Sequence, residues 1–107
     1  MHFIHAAEQE WEDQGGGVQR RILGFDEALM MVRVKFEPGA VGTVHHHPHR
    51  QVTYVEAGRF EVEIGGERRT LEAGDSFFVP PEVAHGVKAL ESGALIDVFA
   101  PAREDFL

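Results

Sequence analysis

Gly39-Ala40-Val41-Gly42-Thr43-Val44-His45-His46-His47-Pro48-His49-Arg50-Gln51-Val52-Thr53-Tyr54-Val55-Glu56-Ala57-Gly58 is the stretch on which the fold of this chain turns. His45 and His47 stand two apart, and Gln51 lies four beyond His47. Side chains alternate along a β-strand with a period of two. If Val44 to Ala57 stays extended, His45, His47 and Gln51 therefore point to one face. His85, far along the chain, can close the group from another strand. Imidazole suits zinc, copper, iron and nickel, and an amide oxygen is a workable fourth ligand. Four neutral ligands leave a divalent ion its full charge, which suits an anionic, oxygen-rich molecule. His46 has the opposite parity and is expected to face away. His49 has the right parity but follows Pro48, where the chain can bend, so it is read as a supporting residue or a substrate contact.

Outward from this stretch the period remains two. Val18 to Leu23 and Leu29 to Phe36 read as strands, with Met30, Val32, Val34 and Phe36 on one face. Arg59 to Ile64 alternates Phe60, Val62 and Ile64 against Glu61 and Glu63. Gly65-Gly66 is a hairpin turn into Glu67 to Glu72. Ser76 to Val79, Ala84 to Leu90 and Ala94 to Ala100 complete the set. A helical turn is expected only around Glu8 to Asp13, stopped by Gly15-Gly16-Gly17. Short strands at regular spacing predict an antiparallel sandwich or small barrel, with residues 1–107 as one domain.

Composition narrows the chemistry. With 43% hydrophobic and 26% charged residues the chain reads as a soluble globular protein. It has no cysteine, which excludes disulfides, thiolate metal sites and thiol nucleophiles. Eighteen acidic residues against ten basic ones give a net charge of −8. That balance, with no basic block, argues against nucleic acid or an anionic membrane surface as partner. No apolar run approaches the roughly 20 residues of a membrane span, and Met1 to His5 lacks a signal-peptide pattern, so a cytoplasmic location is expected.

Two further positions carry chemistry. Asp97 sits in Ala94-Leu95-Ile96-Asp97-Val98-Phe99, apolar on both faces, where a carboxylate is costly unless paired or working. Phe99 shares its parity and is read as a cavity wall or core residue. Arg103 lies in a charged tail; folded over a barrel mouth it can clamp a carboxylate in bidentate fashion. Arg33, also in an apolar strand, is left between pairing with an acid and lining the site. Tyr54, opposite in parity to Gln51, is assigned to outer packing or a dimer contact.

The spacing of Gly39, His45-His46-His47, Gln51 and Gly58 resembles the first cupin motif, with Gln51 where glutamate is usual. Gly74, Pro80 and His85 resemble the second, with Glu82 where glycine is usual and Ala89 where asparagine is usual. The likeness implies an all-β, small antiparallel jelly-roll barrel. Leu29 to Val34, His45 to Glu56 and Ile96 to Leu107 narrow it further. They look like the small pectin-degradation cupins, which convert 4,5-unsaturated monouronates to the open-chain keto form.

This resemblance implies a divalent transition metal ion (nickel, zinc, iron, manganese or cobalt) on His45, His47, Gln51 and His85. It puts Asp97 on the pocket wall as catalytic acid or base, with Arg103 as its catalytic companion and Arg103, Phe99 and His49 as substrate contacts. The partner it implies is a small sugar acid from pectin or alginate breakdown, and the assembly a homodimer. Three readings compete with the uronate one: a three-histidine iron dioxygenase, a non-catalytic sugar-acid-binding cupin, and a purely structural metal.

Overall fold

The computed structural model describes residues 2–107. Ten strands, all paired antiparallel, form two facing sheets. They are β1 (Glu12–Gly15), β2 (Val18–Phe25), β3 (Met30–Phe36), β4 (Val41–His45), β5 (Arg50–Ala57), β6 (Arg59–Ile64), β7 (Glu67–Glu72), β8 (Ser76–Val79), β9 (His85–Ala89) and β10 (Gly93–Ala100). The larger sheet runs β1-β2-β3-β10-β5-β8 and the smaller β4-β9-β6-β7, the jelly-roll barrel expected from the motifs. Among the described residues no helix is long and apolar enough to cross a membrane.

The alternation read from the sequence is the alternation of burial. Met30, Val32, Val34 and Phe36 of β3 face inward, and Phe60 and Val62 of β6 meet them from the other sheet. Phe36 and Phe60 join the sheets edge to face, with centroids 5.2 Å apart. Beside Phe60 the two backbones nearly touch. A Cβ on Gly58 would lie 2.5 Å from the Ser92 carbonyl oxygen, and one on Gly93 would lie 2.5 Å from that of Ala57. Only glycine fits at this seam, which closes one end of the barrel.

Two expectations fail. The stretch Glu8 to Asp13 is not helical: a single 3-10 turn covers Ala6–Glu8, and Glu12 and Asp13 pair with Arg20 and Gln19 as strand β1. Gly15-Gly16-Gly17 therefore marks a hairpin rather than a helix stop. Trp11 is pinned beneath Lys35 and Arg21, at 4.1 and 4.5 Å from its ring, a tertiary anchor that overrides local propensity. Nor is Val44 to Ala57 one extended run. β4 ends at His45, β5 begins at Arg50, and the residues between cross from the small sheet to the large one.

The outer face of the large sheet is apolar and uncovered. Met31, Val98, Val52 and Phe78 stand side by side on β3, β10, β5 and β8, with Met31, Val52 and Phe78 each more than 40% exposed. Tyr54 lies on this face, as its parity required. Arg33 lies there too, bound to Glu56 at 2.6 Å and away from the interior.

Glu82, the residue standing where the motif has glycine, is the one non-glycine residue with positive φ among those described, at 66°. Its N–H donates to the His47 carbonyl at 2.8 Å, so the strained backbone is held in place. The left-handed region costs an L-residue roughly 1–2 kcal/mol, offset in part by the greater freedom glycine has when unfolded. Glu82→Gly is expected to stabilise the fold by about 0.5–1 kcal/mol in denaturant titration, despite losing the exposed pairing of Glu82 with His46. A destabilised variant would show that the ion pair outweighs the strain.

Candidate metal centre and cavity

The crossing between sheets builds the site. His45 at the end of β4 lies directly opposite His85 at the start of β9. His47 sits in the crossing segment, and Gln51 enters from β5 in the other sheet. Pro48 biases His47 toward extended backbone and prevents the crossing from joining a ladder. The convergence expected from parity along one strand is thus achieved by two sheets and a loop.

Each imidazole is held in the tautomer a metal ligand needs. The Nδ1–H groups of His45, His47 and His85 donate to the carbonyls of Thr43, His49 and Val83, at 2.8, 3.1 and 2.9 Å. A carbonyl only accepts, so in each neutral ring Nε2 carries the lone pair. One ligating nitrogen from each ring lies within 4.8 Å of the others. His85 Nε2 is buried and has no hydrogen-bond partner. His47 Nε2 faces Gln51 Oε1 at 3.0 Å, two acceptors toward one another, because the Gln51 amide N–H donates to Thr53 Oγ1. A cation resolves both anomalies: ligands about 2.1 Å from an ion, at right angles, stand about 3.0 Å apart. The residues present therefore fit a metal ion.

Electrostatics favour the same state. Burial holds the His85 pKa down at about 4, with the Arg103 charge and the neighbouring imidazoles adding to it and the Val83 hydrogen bond opposing. Burial also lowers His47, against its bond to Gln51. Both rings are neutral at pH 7, so little proton release accompanies metal binding there.

From Gln51 a hydrogen-bonded chain continues along the inner face. Thr53 Oγ1 donates to Asp97 Oδ1 at 2.6 Å, because β5 and β10 pair with Thr53 opposite Asp97 and Gln51 opposite Phe99. Burial pushes the Asp97 carboxyl up to about 6, with the Thr53 hydroxyl and the Arg103 charge pulling the other way. Arg103 is itself buried and grips Asp105 through Nε and Nη2 at 3.0 and 2.8 Å. Its guanidinium lies 5.1 Å from the Phe99 ring centre and 4.4 Å from that of Phe106. The C-terminal segment thus folds over the barrel mouth. His45, Gln51, His85, Asp97, Phe99 and Arg103 all line one cavity of about 320 Å³, large enough for a monosaccharide.

His49 does not line that cavity; its ring packs edge-on to His47, and its carbonyl holds the His47 Nδ1–H. His46 points away and meets Glu82 at 3.1 Å. Thr53 escaped the sequence reading, although its parity with Gln51 put it on the inner face. Arg20, a cation between the inward Val18 and Ile22, also lines the cavity and was likewise missed.

This barrel, with its histidine cluster at one mouth, defines a class, and the chain belongs to the cupin domain family, which matches residues 32–99. Within that family it sides with the small pectin-degradation proteins. It is 49% identical to the pectin degradation protein KdgF of Dickeya dadantii (strain 3937), over 94% of this chain and 93% of that protein. The structure of KdgF from Halomonas sp. superposes with a TM-score of 0.94 at 47% identity, covering 98% of this chain and 97% of that one. An RmlC-like cupin from Shewanella frigidimarina NCIMB 400 superposes with a TM-score of 0.98 at 51% identity, over 100% and 96% of the two chains.

His85→Ala is expected to lower metal affinity by more than about 100-fold, beyond the 10- to 100-fold typical of removing a supporting partner. Metal analysis after dialysis, with circular dichroism to verify the fold, reads this directly. Full retention of metal would remove His85 from the ligand set.

Proposed function

We propose that the chain is a metal-dependent enzyme that converts cyclic 4,5-unsaturated monouronates to the linear keto form by ring opening and tautomerisation. The observation that carries this reading is the hydrogen-bonded run Gln51–Thr53–Asp97, which starts beside the His47 ring. It sets a carboxyl of raised pKa in the cavity that His45 and His85 also line. The names of the pectin-degradation relatives point the same way.

His45, His47, His85 and Gln51 would hold the ion, which supplies positive charge where the substrate develops negative charge on oxygen. Asp97, ionised at neutral pH, takes the proton of the anomeric hydroxyl. The anomeric carbonyl forms as the bond from C1 to the ring oxygen breaks, leaving an enolate whose oxygen is the former ring oxygen on C5. Asp97, now protonated, delivers a proton to C4, and the C5 ketone forms. Electrons and protons balance without redox or hydrolysis. Phe99 gives the sugar ring an apolar wall, and Arg103, fixed by Asp105, faces its carboxylate.

Loss of the conjugated enol ether's ultraviolet absorbance, followed against buffer with metal-loaded protein, tests the reaction. No acceleration would sink it, and a rise in melting temperature with sugar acid but no conversion would instead support a binding protein. Because the acting form of Asp97 is the anion, kcat/KM should fall as pH drops through about 6.

Stability has the opposite sign. The folded pKa lies above the unfolded one, so folding favours the protonated form and stability is lost as pH rises from about 4 through 6. Asp97→Asn should therefore lower kcat by about 10²-fold while keeping the metal, and at pH 7 should gain on the order of 2 kcal/mol of stability. Loss of metal in that variant would assign Asp97 a structural role.

The homodimer is proposed on the outer face of the large sheet, where a two-fold axis would set its apolar row against itself and each Arg33–Glu56 pair against its copy. Val52→Glu should then shift the sedimentation mass from dimer to monomer. A monomeric wild type would end this assignment.

A further inference from the structure

Two guanidinium groups reach the cavity, and they are not equivalent. Arg103 is committed to Asp105 through two hydrogen bonds. Arg20 projects inward from β2 between Val18 and Ile22, both of which pack against the core. Its Nε is buried without a hydrogen-bond partner. Among the described residues it makes no salt bridge within 4.0 Å and no side-chain hydrogen bond, in a chain with eighteen acidic residues. Its guanidinium carbon lies 3.7 Å from the centre of the Phe106 ring, and that of Arg103 lies 4.4 Å from the same centre.

A half-buried cation is costly when the acids around it, Glu12 across the β1–β2 ladder and Asp105 on Arg103, act only from beyond salt-bridge distance, and a second cation across a single ring adds repulsion. Stacking on Phe106 recovers part of that cost and fixes the plane of the fork, but uses none of its N–H donors. An anion in the cavity would satisfy both.

We propose that Arg20 is a substrate-binding residue whose free guanidinium, with Arg103 on the same Phe106 ring, forms a two-cation subsite recognising the carboxylate of a monouronate. This deepens the proposed function and rests on its assignment of a sugar acid to the cavity. It makes Arg20 the residue that distinguishes an acidic sugar from a neutral one, and Arg103 its oriented companion. The carboxylate is carried on C5, so a clamp on it fixes the reacting C4–C5 bond and the ring oxygen relative to Asp97 and the histidines.

The test separates binding from turnover. Calorimetry of the metal-loaded protein with D-galacturonate, which lacks the reacting double bond, and with neutral D-galactose measures recognition alone. Arg20→Met keeps the stem on Phe106 and removes the charge; Arg20→Lys keeps the charge and removes the fork. The Met variant should bind galacturonate about 10- to 100-fold more weakly than wild type, with galactose unchanged. It should also raise KM for the unsaturated monouronate by a similar factor, with kcat little changed, and the Lys variant should recover part of both.

Unchanged galacturonate binding in the Met variant overturns the proposal. So does an equal loss for galactose, which a merely structural role would produce, and so does a wild type with no preference for the acid. A wild type that prefers galacturonate through Arg20 but leaves the unsaturated sugar unconverted upholds the subsite and overturns the ring-opening reading alone.

Discussion

The site depends on one register. β9 lies antiparallel to β4 with His85 opposite His45, which brings together ligands forty residues apart in sequence. A slip of one residue would turn His85 to the other face of the sheet and scatter the group. The register is held on both sides: β6 pairs β9 through Ile64 and His85, and the Gly65 N–H donates to Ala84 just before the strand. The tight Gly58–Gly93 seam and the Phe36–Phe60 contact keep the far end closed.

Much of this was legible in the residues. The alternation in β3 and β6 identified inner faces because one side of each strand meets a core and the other meets water. The histidine spacing pointed to a ligand group, but for a reason that needed correcting. Parity along a continuous strand would align His45 with Gln51, whereas the chain leaves one sheet after His45 and enters the other at Arg50. Period-two reasoning does not see a change of sheet, although Pro48 marks the place. Glu12 and Asp13 were misread because strand pairing and the Trp11 anchor are tertiary. Arg20 and Thr53 carried a usable signal, each a polar residue in phase with buried apolar neighbours. The departure at Glu82 was visible in the motif, and its meaning as positive φ needed the backbone.

Charge is arranged against the composition. A chain of net charge −8 lines its cavity with Arg20, Arg103 and two imidazoles, and keeps its other acidic residues outside it. Asp97 is the inward exception, a carboxyl whose burial disfavours its charged form. The Thr53 hydroxyl orients it, and Thr53 is in turn oriented by Gln51, so the carboxylate and the ligand group share one hydrogen-bonded scaffold.

His45 and His85 belong to one sheet and Gln51 to the other, while the apolar contacts that join the sheets lie deeper in the barrel. An ion shared among these residues would therefore be a cross-link between the layers, added at the mouth to the packing that Phe99 supplies there. Binding free energy at that position is spent on the native state alone, so the temperature at which the barrel opens becomes a reading of free metal concentration. Such an ion would tie both sheets to the crossing from His46 to His49, the one part of the site that no strand pairing holds.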